Sequence, residues 1–287
     1  MAKVWLITGS GNGLGRDITE AALAAGDRVV AGARRLEELN PLVEQYGERI
    51  KPVNLDVRDE EAAKAAVQTA LDAYGRLDVL VNNAGYGHFA PFEQISPDEF
   101  RDVIETCLFG VVYTTRAAVP VMRRQKSGHI FQVSSIGGRL AIAGNSPYHA
   151  AKFAVGGFSD SLAAEVAPFG VKICTLEPGA IRTNFGHRAA DRSPELLPEY
   201  EPSAGAMYKM MAAARDNSEG DPKKIADVVV KLANTEDVPK RLILGKDAEA
   251  YVKYAETARA EEAAKYRELT LSTVFPNAAR IADLQND

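Results

Sequence analysis

The sequence has few of the residues that build disulfide frameworks or metal sites. Two cysteines, Cys107 and Cys174, and four histidines occur among its 287 residues. The cysteines are far apart and match no metal-binding spacing, and no two histidines stand at the spacing of a helical pair of metal ligands. We therefore predict two buried, reduced thiols and no metal site.

Long apolar runs and blocks of one charge are also missing. The longest apolar stretches have the length of a strand, well short of the roughly 18 residues that span a bilayer. Lys and Arg number 34 against 39 Asp and Glu, a net charge of −5, and the basic residues are scattered. This argues against nucleic acid or a membrane surface as the main partner. The first residues show neither a charged leader nor a cleavage site, so we expect a cytoplasmic protein.

The residues that are present form an alternating pattern. Hydrophobic residues make up 46% of the chain, which is enough for a large core. Strands are predicted at 3–8, 28–33, 50–54, 79–82, 129–134, 171–176 and 241–244. Helices are predicted at 14–25, 36–46, 60–74, 97–124, 148–167 and 222–233. Apolar strands that alternate with helices predict an α/β fold: a single Rossmann-type, doubly wound domain with a seven-stranded, mostly parallel sheet.

Two segments depart from this alternation. Residues 179–217 hold Pro-punctuated loops and a Met-containing stretch directly after a strand, and we expect them to cover a site at the strand ends. Residues 247–270 form a charged, alanine-rich helical stretch with a mostly solvated face. We therefore predict a catalytic domain over 1–245 and a C-terminal helical extension over 246–287.

A glycine-rich turn follows the first predicted strand and opens the first helix. It reads Thr8-Gly9-Ser10-Gly11-Asn12-Gly13-Leu14-Gly15. Glycines permit a tight turn and close approach of the backbone to a pyrophosphate, while the helix N-terminus offers free N–H groups. Such a turn can be purely structural, but its position at the start of the alternating pattern favours dinucleotide binding.

The end of the second strand bears on the choice of cofactor. An acid at this point would bind the ribose 2′-hydroxyl of NAD, but the sequence has Ala33 followed by Arg34 and Arg35. Arginine pairs with a 2′-phosphate, which a carboxylate would repel. We therefore predict NADP(H) in preference to NAD(H). The alternative is that the two arginines begin a solvated helix with Glu37 and Glu38.

Three residues suggest acid–base chemistry. Tyr148 and Lys152 stand four residues apart at the start of a predicted helix and share one face. A neighbouring ammonium lowers the tyrosine pKa from its usual value near 10, which suits proton exchange with a carbonyl or an alcohol. Thirteen residues upstream, Ser135 follows the strand 129–134, where its hydroxyl can reach a substrate oxygen.

Taken together, these motifs resemble the short-chain dehydrogenase/reductase family over about residues 3–245. In order they are the glycine-rich turn, Asp56-Val57, Asn82-Asn83-Ala84-Gly85, Ser135, Tyr148-xxx-Lys152, and Pro178-Gly179 with Thr183. The resemblance implies that Tyr148 is the acid/base and that Ser135 orients the substrate. It also implies that Lys152 lowers the tyrosine pKa and holds the nicotinamide ribose.

The resemblance implies further contacts as well. The adenine side would be bordered by Asp56, Val57, Asn83, Ala84 and Gly85. The nicotinamide side would be lined by Pro178, Gly179, Ile181 and Thr183. In the family, the helices that correspond to 97–124 and 148–167 commonly pair across a two-fold axis, which implies a homodimer or homotetramer.

One position departs from the family pattern. The family usually has an asparagine three residues before the glycine that is Gly110 here, and this chain has Cys107. The asparagine is thought to hold a water in the proton relay to the lysine, and cysteine is a poorer hydrogen-bonding group. The main-chain carbonyl can still hold a water, so we expect activity to be retained. A nucleophilic Cys107 would need an activating base, which the sequence does not offer.

The prediction is therefore NADP(H)-dependent interconversion of a small-molecule carbonyl and its alcohol. Two alternatives stay open: a dinucleotide-binding sensor without turnover, and an isomerase or dehydratase that uses bound nicotinamide. His88 and His149 can offer polar contacts, although a lone histidine is usually structural. Apolar candidates for the substrate pocket, which suit a plain core equally well, are Tyr86, Phe89, Phe92, Ile142, Phe185, Met207, Met210 and Met211.

Overall fold

Seven parallel strands form the central sheet. The computed structural model describes residues 2–191, 193–215 and 217–275. Its strands are Val4–Thr8 (β1), Arg28–Ala33 (β2), Ile50–Asn54 (β3), Val79–Asn82 (β4), Gly128–Val133 (β5), Val171–Pro178 (β6) and Arg241–Leu244 (β7). All neighbouring strands of this sheet are parallel, in the order β3-β2-β1-β4-β5-β6-β7. The predicted α/β, doubly wound fold is confirmed.

Helices cover both faces of the sheet. They are Gly13–Ala24 (α1), Asn40–Tyr46 (α2), Glu60–Tyr74 (α3), Pro97–Ile104 (α4), Gly110–Gln125 (α5), Ser146–Val166 (α6), Phe185–Ala190 (α7), Ala206–Arg215 (α8), Pro222–Ala233 (α9), Lys246–Lys265 (α10) and Arg267–Leu271 (α11). Because helices lie on both sides, every residue of β1 and β4 is buried, which explains their continuous apolar sequences. β1 lies between β2 and β4, so the chain winds away from it in both directions and leaves a crevice at the carboxyl ends of the strands.

The core has one layer on each face of the sheet. Trp5 and Phe131 are fully buried in the layer that contains residues of α1 and α9. Leu6 and Ile130, next to them in the strands, are fully buried in the layer that contains residues of α3 and α5. None of the helices in the described ranges has the length and apolar character that a membrane span requires.

Two predicted helices are less regular than the sequence indicates. The stretch 97–124 is divided by a π-helical segment, Glu105–Phe109, which separates α4 from α5. The stretch 36–46 begins with a 3₁₀ turn, Leu36–Leu39, before α2. The hydrophobic period does not distinguish these forms from a regular helix because the helix axis continues through them.

The helix that carries Tyr148 starts earlier than predicted. It begins at Ser146 rather than at 148, with Pro147 in its first turn. Proline is favoured at this point because its missing N–H has no partner to lose there. Tyr148 is consequently the third residue of α6 and lies in its first turn.

The C-terminal extension packs against the body of the protein. The predicted helix 247–270 is α10 followed by the short α11, and residues 276–287 of the predicted extension lie outside the described residues. Most of α10 is exposed, but Ala248 and Val252 are buried. The extension is therefore not solvated on every side.

A buried ion network joins this extension to the sheet. Glu177 of β6 is fully buried and accepts hydrogen bonds from Arg241 of β7 at 2.7 Å and from Arg139 at 3.1 Å. Arg241 also pairs with Asp160 of α6 at 2.7 Å, and Arg139 also pairs with Glu256 of α10. Two arginines thus neutralise one buried carboxylate and connect it to two helices.

Candidate active site

A cavity of about 920 Å³ lies at the carboxyl ends of the strands. Its wall includes residues that directly follow the first six strands: Gly9, Arg34, Leu55, Asn83, Ser134 and Gly179. Part of the wall comes from α7 and α8, which belong to the segment 179–217 that we expect to cover the site. Arg192 and Asp216 of that segment lie outside the described residues.

The glycine-rich turn forms one end of the cavity. Gly9 and Gly13 have positive φ angles of 71° and 58°, which side chains other than glycine adopt only with strain. Gly15 does not line the cavity, and a side chain there would collide with the Gly9 carbonyl and with Asn83, so its role is close packing of α1 on the turn. Asn12, at the N-cap of α1, makes no side-chain bond to the helix. The first N–H groups of α1 therefore stay available, and the turn fits the pyrophosphate of a dinucleotide.

The adenosine-ribose end contains Arg34 and Arg35 together with Glu38, for which the sequence left two interpretations open. Arg35 pairs with Glu38, as the alternative interpretation of a solvated helix predicts. Arg34 is exposed in the cavity wall and makes no ion pair with any described residue. The Glu38 carboxylate also stands directly over Gly11, a position the sequence did not reveal. Arg34 is thus the guanidinium that can meet a 2′-phosphate, with Glu38 as an opposing charge.

The adenine side is built around two fixed turns. Asp56 lines the cavity and pairs with Arg58 at 2.7 Å, and hydrogen bonding from Arg58 lowers the pKa of the Asp56 carboxyl. The backbone N–H groups of Asn83 and Ala84 each donate to the Thr8 hydroxyl at 3.0 Å. Val57 and Gly85 line the same wall. Each of the residues that the family resemblance assigns to this side therefore lies along the cavity.

Ser135, Tyr148 and Lys152 meet in the middle of the cavity wall. The Ser135 hydroxyl lies close enough to the Tyr148 phenol to favour its charged form. Ser135 Oγ also accepts from the Gly137 N–H at 3.0 Å, which fixes its orientation after β5. Lys152 is buried, donates from Nζ to the Val133 carbonyl at 2.7 Å and lies 5.5 Å from the centre of the Tyr148 ring.

Burial dominates the electrostatics of this group. It raises the Tyr148 pKa, an increase that the Ser135 hydroxyl opposes, and it lowers the pKa of the Lys152 ammonium. Desolvation acts directly on the phenol oxygen, whereas the ammonium lies beneath the ring and donates to a main-chain carbonyl. Tyr148 is therefore protonated at neutral pH. The lowering of the Tyr148 pKa by Lys152 stays a prediction.

Cys107 lies behind this group. It is fully buried in the π-helical segment, and its Sγ donates to the Tyr86 carbonyl at 3.3 Å. Burial raises the pKa of its thiol, so the thiol stays neutral. Its neighbour Thr106 is part of the cavity wall whereas Cys107 is not. The structure gives Cys107 the contacts of a packing residue.

The nicotinamide side follows β6. Pro178, Gly179, Ile181 and Thr183 all line the cavity, as the resemblance implies. Asp247 from α10 also lines it, and its Oδ2 accepts from the Ala180 N–H at 2.8 Å. The C-terminal extension thus contributes a carboxylate to the site. The sequence gives only a weak indication of this contact: Asp247 is an acid in the first turn of a helix that begins after Gly245.

The remaining volume forms an apolar substrate end. Seven of the eight predicted pocket residues line it, and the prediction for Phe92 is wrong: this side chain is 69% exposed and packs edge-on against Phe100. It belongs to a short 3₁₀ turn that projects outward. Phe185 approaches the Tyr148 ring at 5.8 Å between ring centres. Residues of this end that the sequence analysis missed are Asn145, Tyr208 and Tyr251.

The two histidine candidates have different positions. His149 receives a hydrogen bond from the Ile142 N–H on Nε2 at 3.2 Å and contacts the Gly137 carbonyl through Nδ1 at 2.9 Å. It therefore holds both ends of the loop that follows Ser135. His88 is buried 4.0 Å from the Glu99 carboxylate and is not part of the cavity wall.

Comparison with known proteins identifies the class. The sequence model described as short chain dehydrogenase matches residues 3–193, and the chain belongs to the short-chain dehydrogenase/reductase family. It is an oxidoreductase of the class that acts on CH–OH donors with NAD(P) as acceptor. The family resemblance drawn from the sequence motifs is confirmed.

Particular relatives extend the match over nearly the whole chain. Oxidoreductase BOA17 of Botryotinia fuckeliana (strain B05.10) is 45% identical over 274 residues, which cover 95% of this chain and all of the relative. A solved short-chain dehydrogenase from Streptomyces avermitilis is 40% identical, with a TM-score of 0.88, covering 96% of this chain and 100% of its own. An alcohol dehydrogenase from the archaeon Thermococcus sibiricus, solved with 5-hydroxy-NADP, is 27% identical, with a TM-score of 0.70 and coverage of 85% and 96%.

Proposed function

We propose that the protein reduces a ketone or aldehyde with NADPH, and oxidises the corresponding alcohol with NADP⁺, through proton transfer by Tyr148. The observation that carries this proposal is that Tyr148, Ser135 and the glycine-rich turn line one cavity, with the Ser135 hydroxyl close enough to oppose the rise in the Tyr148 pKa. A proton donor, an orienting hydroxyl and a dinucleotide cradle therefore face one enclosed space. Aromatic and methionine side chains around that space support a substrate that is largely apolar.

The proposal includes a preference for NADP(H) over NAD(H). Arg34, directly after β2, makes no ion pair within the described part of the chain and lines the cavity, and Ala33 replaces the acid that a 2′-hydroxyl would require. The Thermococcus sibiricus relative solved with 5-hydroxy-NADP supports the same choice.

The chemistry divides between the cofactor and the chain. When bound, the cofactor supplies or accepts the hydride. Tyr148 donates its hydroxyl proton to the substrate oxygen during reduction and takes it back during oxidation, while the Ser135 hydroxyl holds that oxygen in line. Lys152 keeps a positive charge beneath the ring and stabilises the phenolate that remains after proton transfer.

The two alternative functions lack a supporting observation. A dinucleotide sensor needs no aligned Ser135, Tyr148 and Lys152, and these three residues lie together in the cavity wall. Nothing in the cavity favours an isomerase or dehydratase over an oxidoreductase. A cytoplasmic location and a homodimer or homotetramer stay predictions that belong to the same proposal.

Replacement of the phenol oxygen tests the proposed chemistry. We expect Tyr148→Phe to bind NADPH but to lose turnover by about 10²-fold or more, since the ring is kept and the proton donor is removed. NADPH oxidation against a panel of ketones and aldehydes measures turnover, and fluorescence titration measures cofactor binding. Near wild-type rates in Tyr148→Phe, on a substrate that the wild type reduces, would refute the assignment of Tyr148.

A further inference from the structure

The guanidinium of Arg188 reaches from the segment 179–217 to the glycine-rich turn. Arg188 belongs to α7 and is exposed. Its Nη2 donates to Asn12 Oδ1 at 2.7 Å, across 176 positions of the chain, and its Nε donates to the Asn184 carbonyl at 3.4 Å. Arg188 and Asn12 both line the main cavity. A positive charge from the segment 179–217 therefore lies at the cofactor end of that cavity.

The contacts of Asn12 place this guanidinium near the ribose 2′ position. Asn12 Nδ2 donates to Glu38 Oε2 at 3.5 Å, and Glu38 pairs with Arg35 just after β2. In a doubly wound fold the end of the second strand is where the adenosine ribose binds. Arg34 lines the cavity at the same point. Two arginines from distant parts of the chain, Arg34 and Arg188, therefore border the place of the 2′ substituent.

A second, smaller cavity opens beside this position. Its volume is about 420 Å³. The residues that line both cavities are Asn12, Arg35, Glu38 and Arg188. Arg188 thus stands where the two cavities adjoin, and space for a substituent on the ribose lies next to it.

The hydrogen bonds that Arg188 makes do not use its charge. Both acceptors are uncharged, since one is an amide oxygen and the other a main-chain carbonyl. Phosphate is a stronger partner, because hydrogen bonds between charged groups are about twice as strong as neutral ones and the planar guanidinium binds two phosphate oxygens at once. A phosphate at this end would therefore bind Arg188 more strongly than the Asn12 amide does.

The charge balance at this end also depends on Arg188. The arginines that line the two cavities here are Arg34, Arg35 and Arg188, and the carboxylates are Glu38 and Asp191. Asp56, on the adenine side, is already paired with Arg58. Arginines outnumber the unpaired and competing carboxylates by one, and without Arg188 the two charges are equal in number. Because a phosphate monoester carries a charge of about −1.5 to −2 at pH 7, Arg188 decides whether this end attracts one.

We propose that Arg188 binds the 2′-phosphate of NADP(H), so that the phosphate is held by Arg34 after β2 and by Arg188 from the segment 179–217. The inference rests on the proposed preference for NADP(H) and adds a specificity-determining residue to it. Phe185, one helical turn before Arg188 in α7, lines the main cavity beside Tyr148. The phosphate of the cofactor therefore contacts the helix that borders the substrate.

Removal of the Arg188 charge tests this assignment. Arg188→Gln loses the charge but keeps a donor for Asn12 Oδ1. Fluorescence titration in the absence of substrate measures the Kd values of NADPH and NADH. We expect NADPH to bind about 10-fold more weakly to the variant than to the wild type, and the NADH affinity to change by less than about twofold.

Lys209→Gln is the matched control. It removes the same charge from the same segment, but Lys209 of α8 pairs with Glu201 at 2.6 Å and is not part of the cavity wall. Both cofactor affinities should therefore be unchanged in this variant. A loss of NADPH affinity as large as that of Arg188→Gln would overturn the inference, because the effect would then come from net charge alone.

The outcomes separate the inference from the proposed function. A wild-type preference for NADPH that persists in Arg188→Gln would overturn the inference and leave the proposed function intact. Equal wild-type affinities for NADPH and NADH would refute the proposed preference itself, and the inference with it. Equal losses for both cofactors in Arg188→Gln would also overturn the inference, because they would assign Arg188 to the pyrophosphate or to the fold.

Two cofactor fragments distinguish the 2′-phosphate from the pyrophosphate. 2′,5′-ADP and 5′-AMP differ only in the 2′-phosphate, and neither contains a pyrophosphate. By titration calorimetry, Arg188→Gln should bind 2′,5′-ADP about 10-fold more weakly than the wild type does and 5′-AMP nearly as well. The difference should shrink as the salt concentration rises, because salt screens exposed charges. An unchanged affinity for 2′,5′-ADP would overturn the inference even if NADPH bound more weakly.

Discussion

At the residue scale, desolvation is the largest influence on the pKa of Tyr148, the proposed proton donor. Tyr148 is partly buried, and this desolvation raises its pKa, while the Ser135 hydroxyl favours the charged form. A raised pKa keeps the hydroxyl protonated through neutral pH. The resting state of the residue therefore suits reduction, which needs a donor, more than oxidation, which needs an acceptor.

The two directions of the reaction should respond differently to pH. Reduction should be nearly independent of pH between about pH 6 and about pH 9, because the donor stays protonated below its raised pKa. Oxidation should accelerate with pH, by up to about tenfold per unit, as the phenolate fraction grows. Initial rates with NADPH plus ketone and with NADP⁺ plus alcohol check both profiles. An oxidation rate that falls as pH rises would contradict the assignment.

Cofactor selectivity depends on the opposed charges of Arg34 and Glu38. Arg34→Ala should weaken NADPH binding by about 1–3 kcal/mol through the loss of charge-assisted bonds. Glu38→Gln should tighten it, because the pairing of Glu38 with Arg35 and its repulsion of the phosphate are both removed. NADH affinity is the control and should change little in either variant. Equal wild-type affinities for NADPH and NADH would exclude the proposed preference.

The sequence predicted the residues that sit in ordered motifs and missed those that depend on side-chain direction. The motif residues come together because the end of β5 and the start of α6 lie at the same edge of the sheet. The first carries Ser135, and the second carries Tyr148 and Lys152. Asn145 looks like an ordinary N-cap in the sequence, and whether its side chain caps the helix depends on the rotamer. Asp247 reaches the site through tertiary packing of a helix about 100 residues away from Tyr148, which no local pattern records.

At the scale of the element, the π-helical segment between α4 and α5 turns residues away from their helical positions. One extra residue per turn rotates Cys107 into packing with Val103 and Ala151, and leaves Thr106 in the cavity wall. The hydrophobic pattern of 97–124 predicts one regular helix because α4 and α5, on either side of the π-helical segment, are both amphipathic.

Cys107→Asn distinguishes a relay residue from a packing residue. We expect an unchanged pH–rate profile, since Cys107 is not part of the cavity wall and its thiol bonds to the Tyr86 carbonyl. The melting temperature should fall, because a buried amide that lacks partners costs about 1–3 kcal/mol. A pH profile that shifts in a folded variant would return the position to the proton relay.

At the scale of the whole molecule, the doubly wound topology separates two tasks. The first three strands end at the adenosine side of the cavity, and β5 and β6 end at the catalytic and nicotinamide side. Alternation of strands and helices predicts this division. It does not predict which outer helix faces form an interface with another subunit, because an exposed apolar side chain does not identify the surface that covers it.

Exposed aromatic rings on two of those helix faces bear on assembly. Phe109 is 38% exposed in the π-helical segment, and Phe153 of α6 is 40% exposed; both belong to the stretches that the family resemblance implies are paired. We expect a dimer or tetramer, and a smaller mass for Phe109→Ser at low concentration. Light scattering at micromolar concentration measures the mass, and a wild-type value near 30.9 kDa would disprove assembly.

The ion network around Glu177 couples the end of the chain to its middle. Arg139 lies just beyond Ser135 and pairs with Glu256, 117 positions further along the chain. If α10 detached, Arg139 would lose Glu256 as a partner and would be held less firmly beside Glu177. This would be unfavourable, because a buried carboxylate needs a well-placed counterion. The loop after β5 and the last long helix should therefore open as one cooperative unit. The amides of both segments would then exchange with solvent at a common rate, and the fraction of time that Ser135 is in place would depend on α10.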